Sequence, residues 1–258
     1  MDVLKIEEVL KQEGVYVSTI AGVSMYPMLR NRRDTIVVEP YEGRLKKYDI
    51  PLFINTGDKG ITQDWNFAYS KADTDLITIA HQDDVYLSHY TEDILSMVRG
   101  ADKPLIAFTD YGELRDGKPV VKSNLLTIKR ILLFPLRFGI FKKSKFVRRR
   151  SLSLGNCICC PAVTFVKENV PNPVFQHGFR SNEDWEAWEV ISKLDGEFLY
   201  SKKVGMYHRI HEGSETSIII GDNARTTEDL VMFKKFWPEP IAKLIAGVYA
   251  SSEKSNEL

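Results

Sequence analysis

Between residues 62 and 121 the chain changes its hydrophobic period repeatedly. Helical spacing in "TQDWNFAYSKAD" gives way to an apolar run in "DLITIA". Helical spacing returns in "TEDILSMVRGAD", and two extended runs follow in "PLIAFTDYGELRDGKPVV". A strand followed by a helix and another strand has to fold the helix back over the sheet, so this alternation predicts an open α/β sheet with helices on its faces. Within the pattern, Thr91 reads as a helix cap, Gly100 as a helix stop, and Asp116-Gly117 as the turn of a hairpin.

The first fifty residues have another character. Positions 3 to 13 are helical in spacing and close at Gly14, while "VYVSTIAG" and "DTIVVEP" read as strands. "YDIPLFIN" reads as a third strand, which Pro51 keeps off a sheet interior. At 258 residues, 43% of them hydrophobic, the chain can bury one large core or two modest ones. The change of texture near Ile54 and Asn55 favours a short, mainly β N-terminal segment, 1–54, followed by an α/β domain, 55–258.

Thirty-five basic residues balance 35 acidic ones, which gives no global attraction to nucleic acid. No apolar run approaches the length of a membrane span, and "MDVLKIEEVLKQEG" lacks the apolar core of a secretion signal, so the expected location is the cytoplasm. The three cysteines all lie in "GNCICCPAV". With no second cluster to complete a zinc site, they read as small buried side chains in a reduced compartment.

Residues 128 to 150, "IKRILLFPLRFGIFKKSKFVRRR", hold nine Lys or Arg and no acid, with bulky apolar residues between them. Pro135 and Gly139 break any single long helix here. Two readings stand: a surface that rests on anionic lipid head groups or holds a lipid-linked diphosphate, and a solvated basic face over an ordinary core contact.

The strand "DLITIA" runs into adjacent carboxylates, Asp83 and Asp84. Ligands of open α/β sheets collect at the carboxyl ends of strands, and two adjacent carboxylates suit a hard divalent cation that could bridge the phosphates of a nucleotide diphosphate. The alternative is that one of them caps the next turn. Similarly, Asn182, Glu183 and Asp184 make a helix start favoured by the helix dipole.

In sequence order, "WNFAYSKADTDLITIAHQDD", "AFTDYGELRDGKPV", "GNCICCPAVTF", "GFRSNEDWEAWEVISKLDGEFLY" and "MYHRIHEGSETS" resemble the family 2 glycosyltransferases of GT-A fold, over about residues 56 to 240. The resemblance implies a GT-A-like open mixed sheet with helices on both faces. It implies an inverting transfer of a sugar from a nucleotide diphosphate donor to a saccharide or lipid-linked hydroxyl acceptor, in cell-surface polysaccharide synthesis, with Mg or Mn. It places metal and donor contacts on Asp83 and Asp84, with Gln82 and His81 beside them. Asp184 falls on the general base, with Glu183 the lesser candidate, and Arg209 and His211 fall on diphosphate or metal contacts. A carboxylate within hydrogen-bond reach can take the proton of the attacking hydroxyl. Peripheral contact with the inner membrane face through residues 128–150 completes the expected set of partners.

The family's opening strand, helix and strand have no counterpart. Residues 15 to 53 instead resemble the start of the signal-peptidase and repressor-type serine peptidases, through "GVSMYPMLRNRRDTIVVEPYEGRLKKYDIPLF". That resemblance implies Ser24 as nucleophile. A serine needs a partner base to react near neutral pH, and the sequence turns transferase-like where the base-bearing strand is due. The alternatives to a transferase are thus a serine peptidase using Ser24, or a non-catalytic chimeric remnant. The chain joins two truncated domains, or its N-terminal strands patch the transferase sheet. Asn55 and Asp58 then stand in the loop that would meet the nucleotide.

Overall fold

The computed structural model describes residues 16–19, 35–38, 53, 55–58, 60–81, 83–176, 178–210 and 224–255. The chain divides into two compact units, Met1–Ile54 and Asn55–Leu258. In the first, β1 (Tyr16–Thr19) and β2 (Thr35–Val38) pair antiparallel, with Tyr16 opposite Val38 and Thr19 opposite Thr35. These are the two strands expected from "VYVSTIAG" and "DTIVVEP". The N-terminal helix and Ser24 lie outside the described residues, as does the third strand apart from Phe53, which is exposed and in no strand.

The second unit runs α1 (Ile61–Lys71), β3 (Leu76–Thr78), β4 (Val85–Tyr86), α2 (Tyr90–Arg99), β5 (Pro104–Arg115), β6 (Lys118–Val120), α3 (Asn124–Leu133), α4 (Lys145–Leu152), β7 (Val163–Val166), α5 (Glu183–Ile191), β8 (Glu197–Ile210), α6 (Ala224–Lys234) and α7 (Glu239–Ser255). It is a mixed α/β architecture built on one curled sheet of order β3-β7-β5-β8-β4, with β6 added to β5. β5 and β8 run parallel; β7 lies antiparallel between β3 and β5, and β4 is antiparallel to β8.

β5 takes the centre because it can be buried almost throughout; from Pro104 to Leu114 every residue is buried. Ile106 and Phe108 enter the main core with Phe165, Trp185, Trp188 and Phe198, under α5. Ala107 enters a smaller cluster on Tyr90 and Ile94 of α2. The sheet is therefore covered by helices on both faces. The register of β5 against β8 slips between Thr109 and Tyr111. Gly205 lies at that slip, where a Cβ would stand 2.4 Å from Thr109 Oγ1, so only glycine lets the strands approach.

The hairpin at Asp116-Gly117 is present, with φ of 48° and 75° at the two turn residues, the positive values a two-residue turn demands. Gly100 closes α2 as expected. Thr91 does not cap it: the helix starts at Tyr90 behind His89, so Thr91 sits inside the first turn. His89 instead meets Asp93 one turn on, at 2.8 Å.

The basic island breaks where Pro135 and Gly139 require. α3 ends at Leu133, short 3-10 turns cover Phe134–Arg137 and Gly139–Phe141, and α4 follows. Serines start both helices: Ser123 Oγ accepts from Leu126 N–H and Ser144 Oγ from Val147 N–H. Arg148 is fully buried, and its guanidinium donates to the carbonyls of Ser192, Leu194 and Gly196 at 3.1, 2.7 and 2.6 Å. These carbonyls follow α5, so the guanidinium satisfies acceptors that a helix end leaves open.

Candidate acidic site

β3 and β4 are opposite edges of the sheet. The short connection between them, Ile79 to Asp84, therefore crosses from one edge to the other and carries both predicted carboxylates. Asp84 is held at its far end. Its side chain has 0% exposure. Oδ1 accepts the Arg209 backbone N–H at 2.9 Å and lies 3.0 Å from His208 Nδ1. Arg209 Nε donates to the Asp83 carbonyl at 2.8 Å, so β8 grips both aspartates.

The other oxygen, Asp84 Oδ2, is buried without a hydrogen-bond partner among the described residues and stands 3.9 Å from His81 Nδ1. The His81 ring stacks on Trp65 with centroids 5.2 Å apart, and its Nε2 is likewise buried with no partner among them. Burial lowers the pKa of His81, Asp84 pulls it back up, and His208 adds to the lowering. The Oδ2 of Asp84 is thus an acceptor placed to meet a cation or a donated proton.

The turn Cys159–Ala162 packs beside this loop. Tyr86 OH donates to the Pro161 carbonyl at 2.5 Å, and Tyr90 OH to that of Ala162 at 3.1 Å. The cysteines are free and held as thiols. Burial pushes Cys157 up to about 12. It raises Cys159 too, against the pull of Lys129 and with help from Asp84 and Asp184. Cys160 is raised by burial, then by Asp184, Cys159, Glu183 and Asp84. The expectation of small buried side chains holds for Cys157 and Cys160, while Cys159 is half-buried. Raised thiol pKa values make all three poor nucleophiles at neutral pH.

The fold brings the two predicted acidic segments to one stretch of chain, 156–161: Tyr86, two residues beyond Asp84, bonds the Pro161 carbonyl, and Asn156 bonds Asp184. Asp184 Oδ1 accepts its neighbour's N–H, from Trp185, at 2.7 Å, and Oδ2 accepts from Asn156 Nδ2 at 2.8 Å. Glu183 is buried. The approach to α5 is clamped by α6: Glu228 accepts from the backbone of Arg180 and Ser181, and Asp229 Oδ1 from Asn182 Nδ2 at 2.8 Å.

Gln82 and His211 lie outside the described residues. His208, Asn156, Tyr86 and Trp65 join the neighbourhood without having been singled out. Of these, only His208 carried a signal, as a titratable residue beside Arg209. Asn55 and Asp58 line a separate depression of about 350 Å³ with Gln63, Asn66, Phe67 and Pro173. A second, of about 610 Å³, lies along α2 from Ser88 to Arg99. Neither is lined by Asp83, Asp84 or Asp184.

Among the described residues there is no group of three or more His, Cys, Asp or Glu side chains that could hold a metal. A cation that keeps most of its waters and is completed by substrate phosphates needs only one or two carboxylates. The orphan Asp84 Oδ2 beside Asp83 fits that lighter requirement. Compared with known proteins, the chain matches no protein-family model, and a search of curated proteins finds no match.

Proposed function

We propose that the unit 55–258 is a GT-A-type glycosyltransferase, moving a sugar with inversion from a nucleotide diphosphate donor to a hydroxyl acceptor in cell-surface polysaccharide synthesis. One observation carries the reading: the two acidic segments, a hundred residues apart, both reach the stretch 156–161, where Tyr86, two residues after Asp84, bonds the Pro161 carbonyl and Asn156 bonds Asp184. Asp83 and Asp84 hold Mg or Mn at the diphosphate. The ion, when bound, offsets the charge that builds as the diphosphate leaves. Asp184 takes the proton of the acceptor hydroxyl as that oxygen attacks the anomeric carbon from the opposite face. Its Oδ1 accepts from Trp185 N–H and its Oδ2 from Asn156 Nδ2. Those two bonds orient the base. Arg209 positions the aspartate pair through its backbone N–H and Nε, and His211 stands with it in the donor set.

A second reading has an observation of its own. β3 is an edge strand among the described residues, with a partner on one side only, and that edge is where the family's missing opening strands would pair. This favours a remnant that binds no donor. Titration of UDP and dTDP sugars with Mn²⁺ separates the readings by thermal shift, since a ligand at a hundredfold its Kd adds about 2.7 kcal/mol of stability. A Mn²⁺-dependent rise supports the transferase; a flat response across donors supports the remnant. Asp184→Asn lowers turnover by about 10² to 10⁴ with melting unchanged, because Asn156 can flip and offer its unpartnered Oδ1 to the new amide. Full turnover in that variant removes Asp184 from the mechanism. For the peptidase alternative, a serine-directed covalent probe is expected to leave Ser24 unlabelled.

A further inference from the structure

The island between Ile128 and Arg150 does not present nine available cations. Arg148 is buried on backbone carbonyls. Arg149 pairs with Glu189, Lys142 with Glu197 and Arg130 with Asp110, while Lys129 donates to Tyr111 OH. What faces outward is apolar. Ile128, Ile131, Phe134, Phe138 and Ile140 are exposed, Ile131 at 65% and Ile140 at 81%. They follow one another along α3 and the two 3-10 turns, and the rings of Phe134 and Phe138 meet edge to face at 5.3 Å. Ile140 sits in the Gly139–Phe141 turn, and a Cβ built on Gly139 has no atom within 4 Å, so this turn stands out from the surface.

The cations that remain exposed lie beside these groups. Arg137 covers the Phe134 ring at 5.5 Å. Lys145 forms an ion pair with Asp195, whose side chain is 85% exposed. An exposed pair of this kind is weak, so Lys145 can turn to phosphates at little cost, whereas Lys143 also reaches the buried Glu197 at 3.4 Å and stays with it. The chain has no Asp or Glu between Asp116 and Glu168 to repel an anionic surface. Protruding apolar side chains with cations beside them suit a bilayer, which accepts knobs without a matching groove.

We propose that the exposed run Ile128–Ile140 is a membrane-docking face, in which Ile131, Phe134, Phe138 and Ile140 enter the head-group boundary of an anionic bilayer while Arg137 and Lys145 contact its phosphates. The face is independent of the transfer reaction proposed above. The full chain is tested by co-sedimentation with vesicles of phosphatidylcholine alone or mixed with phosphatidylglycerol. Binding is expected to the mixed vesicles, weaker at high salt, and little to the neutral ones. Ile131→Asp with Ile140→Asp abolishes it with an unchanged melting temperature, since both side chains are already in water. Arg137→Gln and Lys145→Gln each weaken it roughly fivefold. Leu244→Asp, in an exposed apolar position on α7, leaves it intact and serves as the control. Equal binding by the Ile131/Ile140 variant, or no binding by the parent, overturns the proposal. So does a parent that ignores vesicles but forms a dimer which Ile131→Asp dissociates, because the face then belongs to a second copy of the chain.

Discussion

Asp84 answers two demands at once. One oxygen is spent on the Arg209 N–H and His208, fastening β8 to the β3–β4 connection; the other meets no donor among the described residues. Asp84→Ala therefore removes a structural bond as well as a ligand and is expected to cost about 1 to 3 kcal/mol in urea unfolding. Asp84→Asn keeps an acceptor for the Arg209 N–H and should recover most of that stability while still losing Mn²⁺ affinity. Equal losses in both variants would show that the carboxylate charge, rather than the bond, holds the loop. The two aspartates were visible in the sequence because paired carboxylates at a strand end are unusual. The burial of Asp84 was not. It depends on the β4–β8 register, Val85 opposite Tyr207, which places His208 and Arg209 over the loop. No local pattern encodes a register set by strands so far apart in the chain.

The island shows how an element can be legible in outline and misleading in chemistry. Its breaks at Pro135 and Gly139 follow from backbone restrictions that any fold must respect. The fate of its cations depends on acids brought from elsewhere: Glu189 on α5, Glu197 on β8 and Asp110 on β5. Reversing Lys142, Lys143, Arg148, Arg149 and Arg150 together, which composition alone would recommend as a membrane test, would dismantle the core instead. Arg148→Met should demonstrate this singly. It strands three carbonyls, each worth about 1 kcal/mol or more when buried and unpaired, so a loss of at least about 3 kcal/mol is expected in chemical denaturation. Arg148→Lys restores little, since an ammonium cannot span the three acceptors as a planar fork does. A loss below about 1 kcal/mol would mean that water replaces the guanidinium. Helices α6 and α7 went unread, although Phe233, Phe236 and Tyr249 from them box in Trp185, with ring centroids at 5.1, 6.3 and 6.4 Å.

Across the whole unit, alternation of period implied an α/β sheet with helices on both faces, and that is present. The strand order was not legible, because β7 enters antiparallel between β3 and β5 only after β4, β6 and two further helices have passed. One ionic feature acts on the fold as a whole. Burial pushes Glu197 up, but hydrogen bonds from Lys142 and the Asp102 N–H outweigh it and hold the carboxyl below the ordinary 4.5. A depressed folded-state pKa contributes stability above that ordinary value and loses it as pH falls through the folded one. Urea midpoints are thus expected to be flat from pH 7 to 5 and to fall below about pH 4.5, with a shallower fall in Lys142→Met. An identical acid limb in the two proteins would remove Glu197 from the account. Synthesis adds a question of order, because the ribosome releases Arg148 long before Ser192, Leu194 and Gly196. Until Gly196 emerges, the guanidinium has only water to satisfy it, and α4 has to wait outside the core. A nascent chain halted within α5 should accordingly be cut by protease at α4, and one released beyond β8 should not.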